Sequence, residues 1–213
     1  MNTSVVLFFV FNILATVVLG GKFLSQRSDK VFKIFGVAML LNALAFAIWT
    51  YGLVKPENLL SSVTLGTIVF LVSLVAMFYL SIQRAQSGAT KSVLAIVGIF
   101  AALGIFYFGH LSPSLAYISP EGFLFFNLGS LMQMLYIFAL ALVALPAAEI
   151  ISSKLRAPYS EIFRYGFIAE VCGGIILMTS KDANVLYVAG WVIGLVYILL
   201  LTTFVFNKRA WQL

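Results

Sequence analysis

The stretch from Ile34 to Val54, IFGVAMLLNALAFAIWTYGLV, carries no charge, is preceded by Lys33 and stops at Lys55. A bilayer core asks for roughly 20 apolar residues per helix, and this run meets that length without interruption. The same reading recurs along the chain, at Val5 to Gly21, Leu59 to Gln83, Ser92 to Gly109, Gly122 to Ala148 and Ala183 to Asn207. Another span, Tyr165 to Ser180, holds one acid, Glu170. Together they make seven spans and leave only short loops, so no soluble domain fits between them. The expected fold is therefore all-α: one polytopic seven-helix membrane domain over residues 1–213, in the cell membrane.

Composition agrees. Of 213 residues, 62% are hydrophobic and 9% charged, and the mean hydropathy is +1.09, beyond the range of soluble domains. A net charge of +6 would suggest nucleic acid in a soluble chain. Here the basic residues orient helices instead, since short loops retain Lys and Arg on the cytoplasmic side. Apart from Lys55 and Lys181, every Lys and Arg follows span one, three, five or seven. The expected topology places the N-terminus outside and the C-terminus in the cytoplasm. Met1 to Ser4 lacks the basic start of a cleaved signal, so span one is read as a permanent helix. Trp49, Tyr51, Tyr187, Trp191 and Trp211 fit interfacial belts.

Several chemistries lack their residues. A retinal Schiff base needs a lysine within the last span, and Ala183 to Asn207 has none. His110 is the single histidine and Cys172 the single cysteine, which excludes a bis-histidine haem and a His/Cys zinc site. Glycine-rich phosphate loops and a credible catalytic base are missing as well. The expectation is a protein that is not an enzyme and uses no cofactor.

Polar residues inside spans must face the bundle interior or a wet cavity, so they point to the site. Glu170 shares a helical face with Gly166, Gly173 and Gly174, which lets another backbone approach the carboxyl. Arg164, about 9 Å away along the helix and on another side of it, is a poor partner. Glu170 then either exchanges a proton, contacts a ligand, or hydrogen-bonds a neighbouring helix. Span five carries a stripe of Asn127, Ser130, Gln133 and Tyr136. Asn12 with Thr16, and Asn42 with Ala38, Ala45 and Trp49, form shorter polar or small faces. Gly190 and Gly194 allow close helix packing.

Four short stretches recur in parallel order, such as Phe11-Asn12-Ile13 with Phe126-Asn127-Leu128, and Gln83-Arg84-Ala85 with Lys208-Arg209-Ala210. They suggest a 3+1+3 duplication, with halves 1–85 and 122–210 joined by helix four at 92–109. Leu41-Asn42-Ala43 followed by Trp49-Thr50-Tyr51-Gly52-Leu53 resembles the second helix of the SWEET and PQ-loop transporter group. Phe11-Asn12-Ile13 resembles its first helix, and Pro146-Ala147 with Lys154 and Ser160 a degenerate Pro-Gln loop. The resemblance implies a seven-helix transporter with this division. The chain departs from the group at Gly20-Gly21, where a proline is expected, and at Thr64-Leu65-Gly66 and Ala189-Gly190-Trp191, where asparagines are expected.

Two functions remain open at this point. One is a small-solute carrier with a cavity between the halves, lined by Asn12, Asn42, Trp49, Asn127, Gln133, Tyr136 and Glu170, with His110 to Glu121 as a lid. The other is a seven-helix sensor or accessory subunit that binds a lipid or a membrane partner. The expected partners are the bilayer, a small solute or lipid, and another copy or membrane protein; nucleic acid is not among them.

Overall fold

A computed structural model describes residues 3–26, 29–84, 116–118, 124–126, 146–180 and 182–211. The long helices are α1 (Thr3–Ser25), α2 (Lys30–Val54) and α3 (Leu59–Arg84). After them come strands β1 (Ala116–Ile118) and β2 (Leu124–Phe126), a helix α4 described over 146–152, α5 (Tyr159–Thr179) and α6 (Ala183–Phe204). Spans one, two, three, six and seven thus correspond to α1, α2, α3, α5 and α6. Span four lies outside the described residues.

Among the described residues, three stretches are long and apolar enough to cross a membrane: Val6–Ser25, Lys30–Val54 and Asn184–Phe204. Their outward faces are apolar too, with Leu7, Leu14, Val37, Leu44, Val188, Trp191 and Leu195 all exposed. That pattern suits a membrane protein, whose lipid-facing surface needs no polar coat.

Helix boundaries follow caps rather than the ends of hydropathy. The Asp29 carboxylate accepts the Val31 N–H at 2.8 Å, so α2 starts at Lys30 and carries two lysines in its first turn. Asp182 does the same for α6, accepting from Asn184 and Val185. Pro56, which cannot continue a helix, opens a 3₁₀ turn between α2 and α3. Asp29 also pairs with Lys154 at 3.2 Å, but both side chains are partly exposed and the pair contributes little. Asp29→Ala should therefore cost about 1 kcal/mol, mostly from the lost cap. Thermal unfolding of the purified variant should show a fall in Tm of about 3 °C.

One stretch differs from the helical reading. Gly122 to Ala148 was expected to form a continuous span, yet Leu124–Phe126 pairs antiparallel with Ala116–Ile118, with Tyr117 opposite Phe125. The aromatic and β-branched residues of these two triplets favour a pleated pairing, and the intervening sequence holds Pro120 and Gly122, which favour a turn. Residues 146–152, the next that are described, are helical.

Helix α2 packs against α1 on one side and α3 on the other, α1 meets α6, and α6 meets α5. The order across the described helices is thus α3, α2, α1, α6, α5. Helices α1 and α2 approach closely where Gly20 meets Gly36. A Cβ placed on Gly36 would stand 2.8 Å from the Gly20 carbonyl oxygen and 2.9 Å from the Leu24 nitrogen. Only hydrogen fits there.

At the end of the bundle that carries Lys22, Lys30, Lys33 and Arg164, aromatic rings fill the space between α1, α2, α5 and α6. Phe23 is 1% exposed, and its ring centroid lies 4.9 Å from Phe35, 5.0 Å from Trp211 and 5.7 Å from Phe163. Phe32 and Phe204 complete its surroundings. Trp211, expected in an interfacial belt, instead folds back over this cluster, and its indole N–H donates to the Phe204 carbonyl at 2.8 Å. Trp191 is 74% exposed.

Candidate functional site

Above the aromatic cluster lies a layer of polar side chains drawn from α1, α2, α5 and α6. Helix packing sets its level. Phe9 lies against Phe46 and Gly20 against Gly36, so in this antiparallel pair Asn42 falls opposite the turn from Asn12 to Thr16. Helices α2 and α5 run parallel, with Phe35 against Phe163 and Phe167, and Ala45 and Trp49 in the cluster that Val171 and Ile175 pack against. The same offset brings Asn42 level with Glu170.

The hydrogen bonds form a chain. The Tyr197 hydroxyl donates to Glu170 Oε1, joining α6 to α5. The Thr16 hydroxyl lies 3.1 Å from the Tyr197 oxygen and 2.7 Å from the Asn12 carbonyl oxygen, two acceptors for its single proton. The Asn12 amide nitrogen donates to the Phe8 carbonyl at 2.8 Å, which fixes the orientation of the amide. Asn12, Thr16 and Tyr197 are all buried.

Three oxygens in this layer are left over. Asn12 Oδ1, Asn42 Oδ1 and Glu170 Oε2 are buried and have no hydrogen-bond donor among the described residues. An unpaired buried polar atom is costly and needs an explanation. Three of one kind, all acceptors, on three helices at one level, are the strongest candidate site in the described chain.

Of the expected glycine face, two members meet the neighbouring helix, and they receive side chains rather than backbone. Gly166 faces Leu200 and Gly173 faces Ile193, which seats α6 beside Glu170. Gly174 has no neighbour there. Arg164 donates to the Tyr165 hydroxyl at 3.1 Å and lies over its ring, away from Glu170. Gly190 admits the Phe8 ring, while Gly194 meets nothing within 4 Å.

Of the residues expected to line a cavity, Asn12, Asn42 and Glu170 share the layer. Trp49 does not. It is 4% exposed, two turns beyond Asn42, held between Phe46, Phe70 and the bare backbone of Gly66, where a Cβ would collide with the indole nitrogen. Asn127, Gln133 and Tyr136 lie outside the described residues. Tyr197 was missed, although a tyrosine in the middle of a span rather than at its interface was a usable signal.

A groove of about 330 Å³ lies at the basic end, lined by Lys30, Val31, Ile34, Tyr79, Leu80, Ile150 and Ser153. Lys30 is about 18 Å from Asn42 along α2, so the groove does not reach the layer. Among the described residues no group of three His, Cys, Asp or Glu side chains could hold a metal ion. The oxygens available at the layer are two amides and one carboxyl.

No known protein family, curated protein or solved structure matches this chain. The reading of the site rests on its geometry.

Proposed function

We propose that the chain is a small-solute membrane carrier, a seven-helix protein with its N-terminus outside and its C-terminus in the cytoplasm. The binding layer contains Asn12, Asn42 and Glu170. In this reading span five contributes Asn127, Gln133 and Tyr136, and the halves 1–85 and 122–210 move relative to each other, as the resemblance to the SWEET and PQ-loop group implies. The observation that supports it is the set of three buried acceptor oxygens without donors. Bundles that serve only as scaffolds satisfy such atoms internally, because nothing in hydrocarbon will.

Reconstitution in liposomes tests it. A panel of labelled sugars, amino acids and amines should contain a solute that wild type takes up, and Asn12→Ala and Asn42→Ala should each lower that uptake at least about tenfold, the effect of about 1.4 kcal/mol. Both variants should elute from size exclusion as wild type does. Normal uptake in both would overturn the assigned layer.

A second reading, the sensor or accessory subunit, is favoured by the packing order. Among the described helices, α1, α2 and α3 pack in chain order, α5 packs on α6 and α6 closes on α1, while α1 and α3 do not face each other closely. Such a closed arrangement supports a bundle that transmits a signal or docks a partner better than it supports two compact three-helix units. Recovery of one stoichiometric partner in mild detergent supports this reading; a monodisperse chain without one counts against it.

A further inference from the structure

The layer leaves three oxygens that none of its donors reaches. Its hydroxyl donors are Thr16 and Tyr197. Tyr197 gives its proton to Glu170 Oε1, and Thr16 gives its own to the Asn12 carbonyl or the Tyr197 oxygen. One Asn12 amide proton is directed at the Phe8 carbonyl of its own helix, and no amide proton of Asn12 or Asn42 reaches any of the three unpaired oxygens. Moving the Thr16 proton would satisfy at most one of Asn12 Oδ1, Asn42 Oδ1 and Glu170 Oε2. Glu170 also has no Lys or Arg partner among the described residues; on its own helix, Arg164 is engaged with Tyr165.

Candidate ligands sort by what they bring to such a site. An anion adds acceptors and repels the carboxyl. A sugar hydroxyl brings one proton together with two lone pairs, so it fills a deficit only in part. A primary ammonium brings three N–H donors, no acceptor and a positive charge. An alkali cation supplies no proton but is coordinated by the same carbonyl and carboxyl oxygens.

We propose that Asn12 Oδ1, Asn42 Oδ1 and Glu170 Oε2 bind a monovalent cationic group, either an alkali cation or the ammonium head of a small amine. This names the solute class of the carrier reading and rests on that reading for movement of the solute, though not for its binding.

Thermal unfolding of the full chain in detergent tests it, followed by tryptophan fluorescence at constant ionic strength in choline chloride exchanged for NaCl, KCl or methylammonium chloride. Choline has no N–H donor and serves as the reference. One of the three should raise Tm saturably by about 5 °C at tenfold excess over Kd. A rise with Na⁺ or K⁺ assigns a metal-cation site, and a rise with methylammonium alone assigns an ammonium site. Glu170→Gln, which keeps the shape and loses the charge, should weaken the response at least tenfold. Asn12→Ala and Asn42→Ala provide the same readout if Glu170→Gln fails to fold. Four coincident curves in wild type would overturn the proposal, as would a rise that persists undiminished in the variants. Cation binding without flux in liposomes would remove the carrier reading and leave the site. Uptake of a neutral solute with no cation response would do the opposite.

Discussion

Phe23→Ala should destabilise the protein by about 3–5 kcal/mol and lower its Tm by about 10 °C. Phe23 sits at the point where α1, α2, α5 and α6 converge, touching five aromatic rings and leaving 1% of its surface exposed. Part of the usual cost of a core truncation is lost transfer free energy, which shrinks where the alternative surroundings are lipid. The remainder does not shrink. Removing the ring leaves five neighbours facing a void, and each edge-to-face contact is worth about 0.5–1.5 kcal/mol beyond area. Trp211 should respond as well, because the C-terminal turn is held by its hydrogen bond to Phe204 and by its packing on Phe23 and Phe32. The control is Leu14→Ala on the same helix: Leu14 is 59% exposed and its loss should move Tm by no more than about 1 °C. Equal Tm values for the two variants would mean that the four helices do not close around Phe23.

Why this cluster was invisible in the sequence is instructive. Phe23, Phe32, Phe35, Phe163, Phe167 and Phe204 are scattered over four spans, and in a chain with 20 phenylalanines none stands out. The helices themselves were legible, because charge and cap residues bound apolar runs of membrane length. Their ends were less so. Hydropathy stops at Lys33, while the helix runs back to the Asp29 cap. Leu124 to Phe126 is apolar in either conformation, and a short apolar run cannot by itself distinguish a helix from a strand. Pairing with Ala116 to Ile118 decided it.

The site divides in the same way. Glu170 was legible as the one acid inside a span, and Asn12 and Asn42 as amides in apolar surroundings. Their common level is a property of three helix registers and could not be read from spacing along one chain. Trp49 illustrates the reverse case. Its position at a helix end suggested lining or a belt, but Gly66 on α3 opens a slot that buries it. A residue on another helix determined its role.

Tyr197 and Glu170 supply the experiment that separates scaffold from site. Tyr197→Phe removes one oxygen and leaves both carboxyl oxygens of Glu170 without a donor among the described residues. The expected cost is about 1–3 kcal/mol, the penalty for orphaning a buried polar group rather than the net value of one bond. Glu170→Leu strips the Tyr197 hydroxyl of its acceptor and should cost about 1–2 kcal/mol. The double variant replaces both partners by apolar groups, which can be nearly neutral. It should therefore be more stable than the sum of the singles by at least about 1 kcal/mol, a coupling that a double-mutant cycle of unfolding free energies measures directly. Strict additivity would mean that the two side chains do not share a bond. The double variant then answers the functional question, because its fold is intact and its carboxyl is gone. Uptake reduced to background assigns Glu170 to the solute. Uptake at the wild-type rate makes the Tyr197–Glu170 bond a fastener between α5 and α6, and leaves Asn12 and Asn42 to carry the site alone.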